Sequence, residues 1–135
     1  MSRIVLDASV ATSWLLDDEQ DPHSFAALAR VKRDGAVVPQ HWRFEVANAL
    51  LFAERRGRLH AGEAHLHLHT LNDLSIQSDD GCDFDTTFTL AFEHNLTFYD
   101  ALYLELALRR ELPLATLDHD LERAARSAGI EVVSV

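Results

Sequence analysis

Short runs of apolar residues alternate along the chain with longer segments in which apolar residues recur every three or four positions. The run Ile4–Leu6, for example, is uninterrupted, as expected for a strand buried on both faces of a sheet. The longer segments predict amphipathic helices. Strands and helices that alternate in this way favour a parallel sheet with helices packed against it, the α/β class of fold.

The same pattern, with glycine, proline and asparagine at the expected element ends, predicts the individual elements. The predicted strands are Ile4–Leu6, Ala36–Val38, Leu74–Ile76, Leu112–Thr116 and Ile130–Val133. The predicted helices are Ala8–Leu16, Pro22–Lys32, Gln40–Arg56, Ala61–Leu74, Thr86–His94, Tyr99–Arg110 and Asp118–Ser127. The third helix is expected to pack through one stripe, made of Phe44, Ala47, Leu50 and Leu51. The acidic segment Ser78–Asp85 predicts a loop or the entry to a helix.

Composition narrows the class of protein. With 135 residues, of which 47% are hydrophobic, the chain predicts a single domain, residues 1–135, with a sizeable core. Its apolar runs are interrupted by acidic residues such as Asp7 and Glu105, so we expect neither a membrane span nor a signal peptide. The one cysteine, Cys82, has no partner for an internal disulfide, which favours a cytoplasmic location.

The formal charge of the chain is −10 at pH 7. A protein that binds nucleic acid through a basic face carries the opposite sign. The charge therefore excludes non-specific wrapping of nucleic acid, but it does not exclude catalysis on it. A protein of this charge that acts on nucleic acid must obtain positive charge elsewhere, from bound divalent cations or from a basic partner protein.

Two acidic residues come directly after predicted strands. Asp7 follows the first strand and Asp118 follows the fourth. Because the carboxyl ends of parallel strands lie at one edge of a sheet, both side chains are expected there, where ligands bind in α/β folds. Ser9 and Thr116 flank these acids. Each hydroxyl either holds a carboxylate or a metal-bound water in place, or has a local role, helix capping for Ser9 and strand packing for Thr116.

Two further acids lie in apolar surroundings near the starts of predicted helices. Glu45 lies early in the third helix and Asp100 early in the sixth. Taken singly, each is explained as well or better as a partner of the helix dipole. Four carboxylates gathered in one place, however, cannot all ionise without compensation, and a divalent cation supplies it. Ligands that are all oxygen favour Mg²⁺, with Mn²⁺ as a substitute.

Each of the four acids lies in a short segment with a recognisable pattern. The segments are Ile4–Val10 (IVLDASV), Trp42–Leu50 (WRFEVANAL), Leu96–Tyr103 (LTFYDALY) and Leu114–Asp118 (LATLD). In this order and spacing they resemble the PIN domain, and specifically the VapC-type toxins of bacterial type II toxin–antitoxin systems. The resemblance extends over essentially the whole chain.

The resemblance implies a PIN-like three-layer fold, with a central, mostly parallel sheet of four to five strands flanked by helices. It implies a Mg²⁺- or Mn²⁺-dependent endoribonuclease that hydrolyses RNA by metal-activated water. The catalytic and metal-binding positions are then Asp7, Glu45, Asp100 and Asp118. It also implies a homodimer, and a cognate antitoxin whose C-terminal segment covers the catalytic groove. An acidic toxin suits such a partner electrostatically.

Two other functions fit parts of the pattern. An aspartate after the first strand of an α/β sheet is also the covalent nucleophile of metal-dependent phosphatases in other families. Those enzymes normally need a lysine beside the phosphate, and Lys32, the one lysine of this chain, is far in sequence from the predicted edge. The other alternative is a non-catalytic PIN-like binding module, against which the presence of all four acids argues.

The other residues that can carry chemistry are predicted to be structural. His65, His67 and His69 lie on one predicted helix without a further ligand to complete a zinc site, so a solvated helix face is expected. Most aromatic residues, Tyr103 among them, are expected to pack in the core or in a dimer interface. Only Tyr99 is kept as a groove residue that contacts RNA.

Overall fold

The computed structural model describes residues 2–16 and 21–134, in which strands and helices alternate along the chain. The strands are β1 Ile4–Leu6, β2 Ala36–Pro39, β3 Ile76–Asp79 and β4 Leu114–Ala115. The helices are α1 Ala8–Leu15, α2 Pro22–Asp34, α3 Trp42–Arg55, α4 Glu63–Leu71, α5 Phe84–His94, α6 Phe98–Arg110 and α7 His119–Ser127. Within these two ranges, no helix is both long enough and apolar enough to cross a membrane.

The sheet has the order β3-β2-β1-β4, and each of its strand pairs is parallel. β1 lies in the interior of the sheet, and all three of its side chains are fully buried. Helix α6 packs against β1, β2 and β4, while α1 packs against α2 and α3. The prediction of an α/β fold with a parallel sheet of four to five strands flanked by helices is therefore confirmed.

The structure corrects two of the predicted strands, the third and the last. β3 begins at Ile76 rather than Leu74 and continues through Ser78 and Asp79, where the sequence predicted a loop or the entry to a helix. This polar segment is a strand because its backbone pairs with β2 along the edge of the sheet, which apolar patterning does not reveal. The predicted last strand, Ile130–Val133, is reduced to one bridge between Val132 and β4.

The buried face of α3 also differs from the predicted stripe. Phe44 is 77% exposed and Leu51 is 43% exposed. The side chains that face the core are Trp42, Val46, Leu50 and Ala53. Because successive helical residues turn by about 100°, Phe44 lies almost opposite Trp42, the first residue of the helix. Of the predicted stripe, only Leu50 is buried.

A buried ionic cluster attaches the second half of α6 to the end of β3. Arg109 donates to Asp79 at 3.1 Å and to Glu105 at 2.7 Å, and Arg110 donates to Asp79 at 2.7 Å. Asp79 and Glu105 are only 8% and 2% exposed. The backbone N–H of Gly81 also donates to Asp79. Each buried carboxylate therefore has a charged partner, as burial of a charge requires.

We predict that Asp79→Asn destabilises the fold in a pH-dependent manner. Hydrogen bonds from Arg109, together with those from Gly81 and Arg110, lower the pKa of Asp79 from 3.8 to about 2. The ionised carboxylate therefore stabilises the fold above pH 3.8, and this contribution is lost as the pH falls towards 2. At pH 7 the variant should lose about 2 kcal/mol of unfolding free energy in urea. Asp80→Asn provides the control, because Asp80 is the exposed neighbour of Asp79 and its substitution should change stability little. Equal losses in both variants would contradict the prediction.

Candidate active site

A cavity of about 350 Å³ lies at the carboxyl edge of the sheet, where β1 and β4 end side by side. All four acids that the sequence predicts to be functional line it. The lining residues are Asp7, Ala8, Ser9, Thr12, Glu45, Ala49, Asp100, Leu117 and Asp118. The cavity thus brings together acids from the end of β1, from two helix starts and from the turn before α7.

Asp7 is the most buried acid of the cavity, with 5% of its surface exposed. Its carboxylate oxygen Oδ2 accepts hydrogen bonds from Thr116 at 2.6 Å and from Ser9 at 2.9 Å. Burial raises the pKa of Asp7 to about 6 in spite of these hydroxyls, and the nearby charges of Glu45 and Asp100 add to the rise. An ionised carboxylate at this position is therefore costly unless a cation accompanies it.

The two hydroxyls also join β1 to the segment before α7. The backbone N–H of Leu117 donates to Ser9 Oγ at 3.1 Å, and that of Asp118 donates to Thr116 Oγ1 at 3.0 Å. Ser9 therefore accepts a bond from a distant part of the chain while it donates to Asp7. Both hydroxyls therefore contact the carboxylate of Asp7, and their role at the cavity stays a prediction.

Asp118 and Asp100 lie at the starts of two helices but differ in what they do there. Asp118 caps α7, because its Oδ1 accepts hydrogen bonds of 2.9 and 3.1 Å from two N–H groups of the first turn. In α6 the cap is Thr97, whose hydroxyl accepts the N–H of Asp100 at 3.1 Å. The Asp100 carboxylate is therefore not needed as a cap. Burial, with the charges of Asp118 and Glu45, raises its pKa.

Glu45 is held by two residues that the sequence did not assign to the site. Tyr103 donates its hydroxyl hydrogen to Glu45 Oε1 at 2.5 Å, and Nε2 of His41 lies 3.1 Å from the same oxygen. Burial alone would raise the pKa of Glu45, but the contacts with His41 and Tyr103 outweigh it and lower the pKa. Tyr103 was predicted to be a packing residue. The signal for His41 was its spacing four residues before Glu45 at a helix start.

Three of the acids share one arrangement of their carboxylate oxygens. Asp7 Oδ2, Glu45 Oε1 and Asp118 Oδ1 accept hydrogen bonds or a close nitrogen contact from the protein. Within residues 2–16 and 21–134, the second oxygen of each has no hydrogen-bond partner in the protein. Each carboxylate is thus fixed through one oxygen, and the other oxygen remains able to bind a cation.

The donor set of the cavity fits Mg²⁺. The available ligands are carboxylate oxygens, which hard divalent cations prefer. In the part of the chain that the structure describes, no three His, Cys, Asp or Glu side chains are close enough together to hold a metal ion directly. Mg²⁺ does not require such a group, because it keeps several waters and takes one or two carboxylates.

The other residues singled out in the sequence lie outside this cavity. His65 and His69 are exposed on α4 with ring centroids 5.0 Å apart, and His67 lies 3.6 Å from Glu63. Tyr99 is 63% exposed, with its ring 5.8 Å from that of His41. It lies beside the acidic cavity, not in its lining.

The fold and the acidic cavity together define the class of protein. The sequence pattern of the PIN domain matches residues 4–127, and the chain therefore belongs to the PIN-domain family. It is 31% identical over 123 residues to Ribonuclease VapC3 of Pyrobaculum aerophilum. The matched region covers 88% of this chain and 92% of that protein. The crystal structure of PAE2754 from Pyrobaculum aerophilum resembles it with a TM-score of 0.71 and 26% identity, covering 92% of this chain and 87% of the other. These likenesses confirm the family resemblance predicted from the four segments.

We predict that Asp7→Asn stabilises the protein when divalent cations are removed by a chelator. The folded pKa of about 6 exceeds the ordinary value of 3.8, so the wild-type protein loses stability as the pH rises through this interval. Asn carries no charge to bury and can still accept the hydroxyl hydrogen bonds. The variant should gain about 2–3 kcal/mol in unfolding free energy above pH 6, and this gain should disappear towards pH 4.

Asp120→Asn provides the control for this measurement. Asp120 is an exposed acid only two residues after Asp118, so its substitution should leave the pH dependence of unfolding unchanged. A destabilised Asp7→Asn variant at pH 7 would contradict the account of Asp7 as a buried, costly charge.

Proposed function

We propose that this protein is a Mg²⁺-dependent endoribonuclease toxin, with Mn²⁺ as a substitute, and that a cognate antitoxin neutralises it. The observation that carries the proposal is the convergence of four carboxylates in one cavity. Three of them have an oxygen without a hydrogen-bond partner among the residues that the structure describes. Membership of the PIN-domain family and likeness to a protein named as a ribonuclease support RNA as the substrate. A cytoplasmic location stays a prediction.

The residues of the cavity have separate parts in this proposal. Asp7, Glu45, Asp100 and Asp118 would hold the cation, one or two of them directly and the others through its waters, and would orient the scissile phosphodiester. Ser9 and Thr116 fix Asp7. Bound Mg²⁺ supplies the positive charge that the protein lacks and favours deprotonation of water at neutral pH. In the hydrolysis, the oxygen of water forms a bond to phosphorus opposite the leaving oxygen. The phosphorus–oxygen ester bond breaks, and the leaving oxygen ends protonated.

The position of Lys32 does not support the phosphatase alternative, which needs a basic residue beside the phosphate. Lys32 is exposed on α2 and does not line the acidic cavity. The described lining of the cavity holds no lysine or arginine, so Asp7 is poorly suited to become a covalent phosphoryl acceptor. The non-catalytic alternative does not explain why four carboxylates lie in one cavity, since their mutual repulsion lowers the stability of the fold.

We predict that Asp7→Ala and Asp100→Ala each abolish Mg²⁺-dependent RNA cleavage while the fold is retained. The wild-type protein should cleave RNA with Mg²⁺ and stop when a chelator is added, and sequencing the new RNA ends should locate the cut. Asp120→Ala provides the control, because it removes an exposed acid outside the cavity lining. Unchanged cleavage by a purified, folded double variant would contradict the proposal, as would release of inorganic phosphate from a phosphomonoester without RNA cleavage.

We also propose that the protein forms a homodimer through an aromatic stripe on α5. The stripe consists of Phe84, Phe88 and Phe92, four residues apart on one face and 68%, 67% and 84% exposed. Three exposed phenylalanines on one helix face form the kind of apolar patch that marks a protein–protein contact. The resemblance to VapC-type toxins supports a second copy of the chain as the partner.

We predict that Phe88→Glu converts the dimer to a monomer, because it places a charge in the apolar contact. Sedimentation velocity should show one species near twice the chain mass for the wild type and one near the chain mass for the variant. Phe52→Glu, on the exposed face of α3, should leave the dimer intact. A wild-type monomer at micromolar concentration would contradict the dimer and leave the nuclease proposal unaffected.

A further inference from the structure

The hydroxyl of Tyr103 lies at the junction of three elements that carry acids of the cavity. Tyr103 is completely buried in α6. Its hydroxyl donates to Glu45 in α3 at 2.5 Å, and the backbone N–H of Ala8, the first residue of α1, is directed to the same oxygen. Because Ala8 follows Asp7 in the chain, one hydroxyl connects the starts of α1 and α3 with α6.

The one hydrogen of this hydroxyl is directed at the site. Glu45 accepts it, and the N–H of Ala8 at the start of α1 faces the hydroxyl oxygen. Burial raises the pKa of Tyr103 well above its ordinary value, so the hydroxyl stays protonated and remains a donor. A phenylalanine would fill this apolar position without a buried hydroxyl to satisfy. The hydroxyl therefore contributes something other than packing.

His41 completes the contact with Glu45 from the start of the same helix. Its Nε2 lies 3.1 Å from Glu45 Oε1, the oxygen that Tyr103 also contacts. Its ring packs against that of Tyr103 with centroids 4.9 Å apart. The imidazole is largely buried, with 13% of the side chain exposed. Tyr103 thus fixes Oε1 of Glu45 by a hydrogen bond, and Nε2 of His41 lies within ion-pair distance of the same oxygen. Oε2 is the oxygen left for another ligand.

We propose that Tyr103 and His41 are positioning residues that hold Glu45 through Oε1 and so present Oε2 to the divalent cation. The inference rests on the proposed function of the cavity, and it adds two residues to the four acids. Neither residue touches the phosphodiester in this account. They act through the orientation of Glu45, which costs least when the carboxylate is fixed before the cation arrives.

The first test compares the two tyrosines of the chain. Tyr103→Phe removes only the hydroxyl, and Tyr99→Phe removes a hydroxyl that does not contact Glu45. Calorimetric titration with Mn²⁺ in the absence of RNA should show binding to Tyr103→Phe weakened about tenfold, the lower end of the range for lost partners of metal ligands. Tyr99→Phe should bind Mn²⁺ as the wild type does. The Mg²⁺ concentration for half-maximal RNA cleavage should rise by the same factor in Tyr103→Phe.

A second test separates the nitrogen contact of His41 from the packing of its ring. His41→Phe keeps an aromatic ring against Tyr103 but removes the nitrogens, so Mn²⁺ binding should weaken. His41→Gln restores a donor that can reach a carboxylate four residues later, so it should recover part of the affinity. Equal affinities in the two variants would indicate a packing role and overturn the assignment of His41.

The outcomes distinguish this inference from the proposed function. Glu45→Gln serves as the reference and should weaken Mn²⁺ binding at least as much as Tyr103→Phe. If Glu45→Gln weakens binding while Tyr103→Phe and His41→Phe do not, the positioning inference is overturned and the nuclease proposal stands. If the wild type neither binds Mn²⁺ nor cleaves RNA, both are overturned. If Tyr103→Phe fails to fold, as judged by circular dichroism, the His41 pair decides.

Discussion

The cost of burying carboxylates beside one another at the carboxyl edge of the sheet is the constraint on which the site depends. Asp7 bears most of this cost, because burial raises its pKa to about 6 and repulsion from the charges of Glu45 and Asp100 adds to the rise. The contacts around it hold the acids together in spite of that cost. Hydroxyls fix Asp7, a phenol and an imidazole contact Glu45, and helix N–H groups fix Asp118. The residual repulsion is what a divalent cation would relieve.

Helix α6 is the element that relates this site to the rest of the fold. Its first turn carries Asp100, its next turn carries Tyr103, and every residue from Ala101 to Ala107 is buried. Its last turns carry the arginines that pair with Asp79 at the end of β3. The helix is thus anchored by apolar burial along its length and by ion pairs at its far end. That anchoring holds Asp100 and Tyr103 in place beside Asp7, which follows β1, and beside Glu45 in α3.

The sequence predicted the parts of the fold that apolar pattern and chain direction control. β1, the order of helices and strands, and the placement of Asp7 and Asp118 at one edge follow from those rules. The pattern could not place β3, because Ser78 and Asp79 become a strand through backbone pairing with β2. It misjudged α3, because Phe44 is apolar but exposed. It assigned Tyr103 to packing, because the partner of its hydroxyl is 58 positions away and is visible only in three dimensions. It missed His41, although the spacing of four residues to Glu45 was a signal.

The chain has a net charge of −10, and the cavity itself is lined by acids, so both repel the phosphates of RNA. In the proposed function, positive charge bound in the cavity offsets this repulsion. The most direct test of this account follows the Asp7 carboxyl carbon by NMR through a pH titration with and without Mg²⁺. The account predicts a midpoint near pH 6 without the cation, and a midpoint more than about one unit lower with saturating Mg²⁺, because bound metal favours the ionised form. A midpoint that saturating Mg²⁺ leaves unmoved would contradict it.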